Sequence, residues 1–220
     1  MLNKTKSAFT LAEVLITLVI IGIVAALTIS AVINTYVERS TVAKVKKGLS
    51  ILGQAKKLAE AQNGPVIGWD FEGTWSTENN QKFFNYLKPY ISLSKDCGTA
   101  AGCYSSSVYQ LNGNLHSQSY GTNNKFYKFV LADGSVMWFG ASISGGKCGL
   151  SYSFVNNICA TFFYDINGDK KPNTIGKDIF TYYIAADGVF PSDKNECHKN
   201  STGFGCTTYI IQRNNMNYLH

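Results

Sequence analysis

Residues 1–33 read MLNKTKSAFTLAEVLITLVIIGIVAALTISAVI, a short basic leader joined to an apolar run from Phe9 to Ile33 whose single charged residue is Glu13. At roughly 1.5 Å rise per residue, about 20 helical residues cross a hydrocarbon core of about 30 Å. The run exceeds the apolar region of an ordinary secretory signal, and no A-x-A cleavage site follows it. We therefore predict that residues 9–33 form a retained membrane-spanning helix.

The helical pattern continues beyond the apolar run. Apolar side chains recur there at three- and four-residue spacing: Val42, Val45, Leu49, Leu52, Ala55 and Ala59. Gly64-Pro65 is a helix stop signal. The sequence thus predicts one long helix over residues 9–63, apolar all round at first and amphipathic later, followed by one globular domain over residues 64–220.

The stretch SAFTLAEVLITLVIIGIVAAL, residues 7–27, resembles the prepilin signal shared by type IV pilins and type II secretion pseudopilins. The resemblance implies that prepilin peptidase removes the leader, residues 1–8, by cutting between Ala8 and Phe9, and then methylates the amine of Phe9. Two positions depart from the family pattern. Ala8 stands where Gly is usual, and Ser30 stands where many members carry Pro.

Glu13 becomes the fifth residue of the processed chain, and the resemblance gives it a role in assembly. A carboxylate inside an apolar helix costs on the order of 2.5–3.5 kcal/mol by insertion scales, so it needs compensation. In a filament, the amine of Phe9 on a neighbouring subunit supplies it and fixes the axial stagger. The alternative is a carboxylate lying in the headgroup region of a plain membrane anchor.

Six cysteines indicate structural disulfides: Cys97, Cys103, Cys148, Cys159, Cys197 and Cys206. Six cysteines allow fifteen connectivities, and sequence proximity favours three sequential near pairs, 97–103, 148–159 and 197–206. A zinc site is the competing explanation, but the chain has no C-x-x-C. Disulfides imply an oxidising compartment.

The remaining pattern predicts an α+β fold, with the long N-terminal helix packed on a small antiparallel sheet and stapled by disulfides. A short helix is predicted over residues 80–90. Strands are predicted over residues 126–131, 135–139, 159–165 and 178–185, with turns at Asp133-Gly134 and Asp187-Gly188. A further strand is predicted over residues 209–212.

Between the later strands lies the acidic loop, residues 165–178, DINGDKKPNTIGKD. Its oxygen-bearing side chains at mostly two- and four-residue spacing are Asp165, Asn167, Asp169, Asn173 and Asp178. Calcium takes six to eight oxygen ligands from flexible loops, and some secretion pseudopilins bind calcium in a similarly placed loop. We therefore treat these residues as a candidate calcium site. The alternative is a turn stabilised by its own side-chain hydrogen bonds.

Composition bears on topology and partners. The formal net charge is +6, of which Lys4 and Lys6 in the leader supply two. The basic stretch from Arg39 to Lys57 favours a cytoplasmic domain by the positive-inside rule, whereas the cysteines favour the exterior. We follow the cysteines and predict a single-pass inner-membrane protein before assembly, with a periplasmic or extracellular C-terminal domain that later joins a filament.

No catalytic motif is present, so enzyme activity is not predicted: His116, His198 and His220 stand in no nucleophile or metalloenzyme pattern. The resemblance implies a structural subunit of a type II secretion pseudopilus or type IV pilus, assembled with other pilins or pseudopilins on an inner-membrane platform. Two alternatives remain. One is a competence pseudopilin that takes up DNA, and the other is a monomeric membrane-anchored module that binds a glycan or another ligand.

Overall fold

The long helix α1 spans Leu11–Asn63 in the computed structural model, which describes residues 10–104, 107–117, 120–194 and 196–220, with the side chains at 30 and 31 excepted. Contacts divide the chain into two units, Met1–Ser40 and Thr41–His220. Within the first unit, none of the described side chains is buried. The helix stops immediately before Gly64, whose φ of +79° is a left-handed conformation that glycine adopts readily.

The second unit contains the remaining elements. The helices are α2, Thr77–Leu87, and α3, Cys206–Arg213, with short 3-10 turns at Val66–Gly68, Lys88–Tyr90 and Asn217–Leu219. The strands are β1 Leu93–Gly98, β2 Val108–Tyr109, β3 Leu115–Ser117, β4 Tyr127–Leu131, β5 Val136–Ala141, β6 Ile143–Ser144, β7 Lys147–Cys148, β8 Leu150–Tyr152, β9 Val155–Asp165, β10 Ile179–Ala185 and β11 Val189–Pro191.

One antiparallel sheet organises this unit, in the order β1-β4-β5-β9-β10-β11, with β8 also paired to β9. Its central register places Val136 opposite Asp165 and Trp138 opposite Phe163. The two predicted hairpins are present, and Gly134 closes the β4–β5 turn with φ +84°. The predicted α+β class, with a helix on an antiparallel sheet and disulfide staples, is confirmed.

Both faces of the sheet are covered, which is why every residue of β5 and β10 is buried. One face packs against α2 and residues 42–59 of α1, through side chains such as Phe83, Phe139, Phe162 and Tyr182. Because side chains alternate along a strand, Trp138 and Phe163 point to the opposite face, where they pack with Tyr104 and Tyr120 from the long connection between β1 and β4.

Two polar contacts fix the helices on the sheet. The side chain of Asn80 on α2 accepts from the Ala141 amide at 2.6 Å and donates to the Lys125 carbonyl at 2.8 Å. Lys56, buried on α1, pairs with Glu60 at 2.7 Å and donates to the Ala186 carbonyl at 3.2 Å. Loss of either partner in such buried pairs leaves an unpaired polar group, so these contacts specify how the helices dock.

The six cysteines form Cys97–Cys103, Cys148–Cys159 and Cys197–Cys206. These are the pairs that sequence proximity favours. The strand predicted over residues 209–212 is wrong, because that segment lies in α3. A segment of only four residues fits either period, and here Ile210 is buried in the core as part of a helical turn.

Candidate functional site

Glu13 lies in the first turn of α1, and its carboxylate accepts hydrogen bonds from Thr10 of the same chain. Its Oε2 accepts from the Thr10 amide and from the Thr10 hydroxyl, both at 2.9 Å, and the Glu13 amide donates back to Thr10 Oγ1 at 3.3 Å. These reciprocal bonds form a capping box, which satisfies amides at the helix start. The T-x-x-E spacing from Thr10 to Glu13 is the sequence pattern of a capping box.

The helix beyond Glu13 presents an apolar surface on all sides. The exposed fractions of its large apolar side chains range from 42% at Val14 to 74% at Leu27. The apolar window of α1 has a mean hydropathy of 2.8, so by length and composition the helix can cross a membrane. A continuous apolar surface of this size needs lipid or another chain to cover it.

The processing residues Ala8 and Phe9 lie outside the described residues. The predicted cut between them, and the pairing of Glu13 with the Phe9 amine of a neighbouring subunit, therefore stay predictions.

The acidic loop, residues 165–178, joins β9 to β10, and its ends are tied together by Asp178. The amides of Thr174 and Asn173 donate to the Asp178 carboxylate at 2.6 and 2.8 Å. The Asn167 side-chain amide also donates to Asp178, at 3.3 Å, while the Asn167 backbone amide donates to Asp165 Oδ1 at 3.1 Å. Hydrogen bonds thus account for one oxygen of Asp165 and both oxygens of Asp178.

Several oxygens around this loop are buried without a hydrogen-bond partner among the described residues. They are Oδ2 of Asp165, Oδ1 of Asn167, Oδ1 of Asn173 and the hydroxyl of Tyr104. Asp165 is fully buried, and Asn173 and Tyr104 are each 2% exposed. An unpaired buried polar group costs about 1–3 kcal/mol, so a cluster of them needs a physical explanation.

Two carboxylates at the loop, those of Asp165 and Asp178, are buried. Burial raises the pKa of Asp165 to about 8, and the charge of Asp178 acts in the same direction. Burial likewise raises the pKa of Asp178, against the amides of Thr174 and Asn173, which favour the ionised form. Asp169 adds a third negative charge that is felt at Asp165. Residues 165–178 carry three aspartates and three lysines, so the loop is formally neutral, and what distinguishes it is the burial of two carboxyl groups beside unpaired oxygen atoms.

These oxygens suit one class of ligand. Among the described residues, no three His, Cys, Asp or Glu side chains lie close enough together to hold a metal ion. This finding counts against a site made of carboxylates alone, and residues 165–178 contain no histidine or cysteine to supply nitrogen or sulfur ligands. Calcium accepts amide, hydroxyl and carbonyl oxygens beside carboxylates, so the residues present fit a hard cation.

Tyr104 is the residue of this site that sequence reasoning missed. It follows Cys103 in the long β1–β4 connection, far from the acidic loop in sequence, and no local motif marks it. The histidines show no comparable arrangement. His116 Nε2 lies 2.8 Å from the Tyr120 hydroxyl, and burial lowers the pKa of His116, which is typical of a packed core histidine.

Comparison with known proteins gives one match. The family model described as the prokaryotic N-terminal methylation motif matches residues 3–29. No curated protein and no solved structure matches the chain. The matched segment contains Ala8, Phe9 and Glu13, and it ends within the exposed apolar part of α1. This chain therefore carries the prepilin-type signal of the type IV pilin and pseudopilin family.

Proposed function

We propose that this chain is a structural subunit of a type II secretion pseudopilus, or of the closely related type IV pilus, and serves protein secretion. The observation that carries the proposal is the methylation motif at residues 3–29. It stands at the start of a helix that buries none of its described side chains before Thr41. Prepilin peptidase removes residues 1–8, and the exposed apolar helix then moves from lipid into a filament core.

The capping box supports a defined role for Glu13 in that transfer. In the single chain, Thr10 satisfies one carboxylate oxygen and leaves the other available. A neighbouring Phe9 amine then pairs with Glu13 on assembly. A buried charge that loses its partner costs about 3–5 kcal/mol, so this pair sets the register between subunits.

The first experiment is intact mass and N-terminal sequencing of the protein from its native membrane. We expect a chain that begins at N-methylated Phe9. A chain that retains Met1 would contradict the proposal and favour a membrane-anchored ligand-binding module.

Sheared filament fractions then test Glu13→Ala, which we expect to be processed normally but absent from filaments. Thr17→Val is the control, because the Thr17 hydroxyl donates to the Val14 carbonyl of its own helix.

The unpaired oxygens support a second functional site, a calcium site in the acidic loop. Asp165, Asn167, Asn173 and Asp178 would hold the ion, with Asp169 adding negative charge. When bound, calcium would supply positive charge next to the two buried carboxyl groups and would join β9 to β10 across their connection. The site is structural, and such a loop favours a secretion pseudopilin over a pilus subunit.

Thermal unfolding tests the calcium site. We expect millimolar calcium to raise the melting temperature of the full chain in detergent, and a chelator to reverse the rise. Asp165→Asn should abolish the response. Asp187→Asn is the matched control, since Asp187 lies in the turn after β10, outside the acidic loop. An equal melting temperature with calcium and with chelator would contradict the site.

A further inference from the structure

Tyr104 approaches the acidic loop from a different part of the chain. The β5–β9 register places Asp165 opposite Val136, two residues from the Trp138–Phe163 pair. Side chains two apart on a strand share a face, so Asp165 lies on the same face as Trp138 and Phe163. The Tyr104 ring lies on this face, with its centroid 4.6 Å from that of Trp138.

The Tyr104 hydroxyl is directed at the carboxylates of the loop. Burial raises the pKa of Tyr104, and so do the charge of Asp165, its position as hydrogen-bond acceptor for the hydroxyl, and the charges of Asp178 and Asp169. A tyrosine hydroxyl can donate one hydrogen bond. Neither the hydroxyl nor the neighbouring Oδ2 of Asp165 makes a well-aligned hydrogen bond within the described residues.

Three contacts fix the segment that carries Tyr104. The disulfide Cys97–Cys103 ends at the residue before it. The amide of Gly102 donates to the Gly121 carbonyl at 3.0 Å, and the Lys128 ammonium donates to the Thr99 carbonyl at 3.3 Å. A tyrosine held in this way is pre-organised, because little side-chain freedom remains to be lost when a ligand binds.

We propose that Tyr104 is a positioning residue of the calcium site, donating its hydroxyl hydrogen to Asp165 and so orienting that carboxylate toward the ion. This inference rests on the proposed calcium function. Asp165 Oδ1 is already fixed by the Asn167 amide. Oδ2 has two lone pairs, so it can bind the ion while it accepts from Tyr104. The Cys97–Cys103 segment thus becomes part of a site formed by the β9–β10 connection.

Removing the Tyr104 hydroxyl should have different effects on the loop without calcium and on the loop with calcium bound. Without calcium the hydroxyl is buried and makes no well-aligned hydrogen bond, so its removal should cost little. With calcium it orients a ligand, and removal of such outer-sphere partners weakens metal affinity by about 10–100-fold. A tyrosine with only a packing role would not show this difference.

The test is calorimetric titration of calcium into the full chain in detergent, together with thermal unfolding in calcium and in chelator. For Tyr104→Phe we expect an affinity at least about tenfold weaker. In chelator its melting temperature should equal or exceed that of the parent protein. Tyr120→Phe is the matched control, because Tyr120 belongs to the same aromatic cluster but its hydroxyl contacts His116.

The outcomes separate this inference from the calcium site itself. If Asp165→Asn loses calcium binding while Tyr104→Phe binds as tightly as the parent, the site stands and the role of Tyr104 is wrong. If Tyr104→Phe lowers the melting temperature equally in calcium and in chelator, its role is packing and the inference is overturned. An equal loss of affinity in Tyr120→Phe would also overturn it. A parent protein that does not bind calcium would contradict both proposals.

Discussion

Lys128 is a fully buried lysine on β4 whose ammonium is surrounded by backbone carbonyls. It donates to Asn123 at 3.0 Å, to Phe126 at 3.1 Å and to Thr99 at 3.3 Å. Burial lowers the pKa of Lys128. Three donors meeting three acceptors satisfy the ammonium, and they connect the Cys97–Cys103 segment to the loop before β4.

We expect Lys128→Met to lower the free energy of unfolding by about 2–4 kcal/mol. The methionine side chain is of similar length, but it leaves three buried carbonyls without their donor. Chemical denaturation of the full chain in detergent measures this. Lys95→Met on β1 is the control, since Lys95 is exposed, and its effect should lie within about 0.5 kcal/mol. Equal stability of the two variants would show that the carbonyl cluster finds other partners.

Whether a residue can be singled out from the sequence depends on whether its sequence neighbours mark it. Glu13 was predicted because a charge inside an apolar run stands out in the sequence. Five loop residues form a candidate calcium site because their oxygens repeat at short spacing, and that site stays a prediction. Tyr104 and Lys128 could not be predicted, since a tyrosine or a lysine looks alike whether it is buried or exposed, and only the tertiary fold brings each to its partners.

At the scale of the element, the second half of α1 contacts the sheet through a glycine. A Cβ atom on Gly48 would lie 2.6 Å from Cδ1 of Tyr164 and 3.0 Å from the Tyr182 hydroxyl oxygen. That hydroxyl donates to the Val45 carbonyl on the same helix at 2.7 Å. Gly48 therefore lets the helix approach two large rings closely, at a helical position where glycine itself is unfavourable.

We expect Gly48→Ala to destabilise the protein by about 1–3 kcal/mol, because overpacking against fixed rings outweighs the gain in helix propensity of about 1 kcal/mol. Gly53→Ala, on the same helix, is the matched control. A Cβ there meets nothing within 4 Å, so that variant should gain about 0.5–1 kcal/mol. Denaturant midpoints decide the sign for each variant, and two stabilised variants would show that the rings move aside at little cost.

The helices and strands that follow from the sequence are those with a long apolar pattern or with a turn dipeptide at one end. The helix end before Gly64-Pro65 and the hairpin at Asp133-Gly134 follow from backbone preferences of glycine and proline. The strands β2, β3, β6, β7 and β8 have two or three residues each, too few to show a period. The segment predicted as a last strand is α3, because its tertiary contacts decide between two periods that four residues cannot distinguish.

At the scale of the molecule, the two units differ in what stabilises them. In the described part of the chain, every buried residue lies at Thr41 or later, including Val42, Val45 and Leu52 of α1. The three disulfides also lie in this second unit. The described residues of the first unit bury no side chain, so this part of the helix needs lipid or another chain to cover it. The second unit can therefore keep its core whatever covers the apolar helix.

We expect a chain that begins at Thr41 to fold without detergent when it is produced in an oxidising compartment, because it retains all described buried residues and all three disulfides. Sedimentation should show a monomer, and thermal unfolding should be cooperative.

A chain that begins at Pro65 is the matched comparison. It lacks the helix residues that cover Tyr164 and Tyr182, so it exposes one face of the sheet and should aggregate. If the Thr41 chain were instead aggregated or had free thiols, the core would depend on residues before Thr41. If both chains folded equally well, residues 41–63 would be dispensable for the fold.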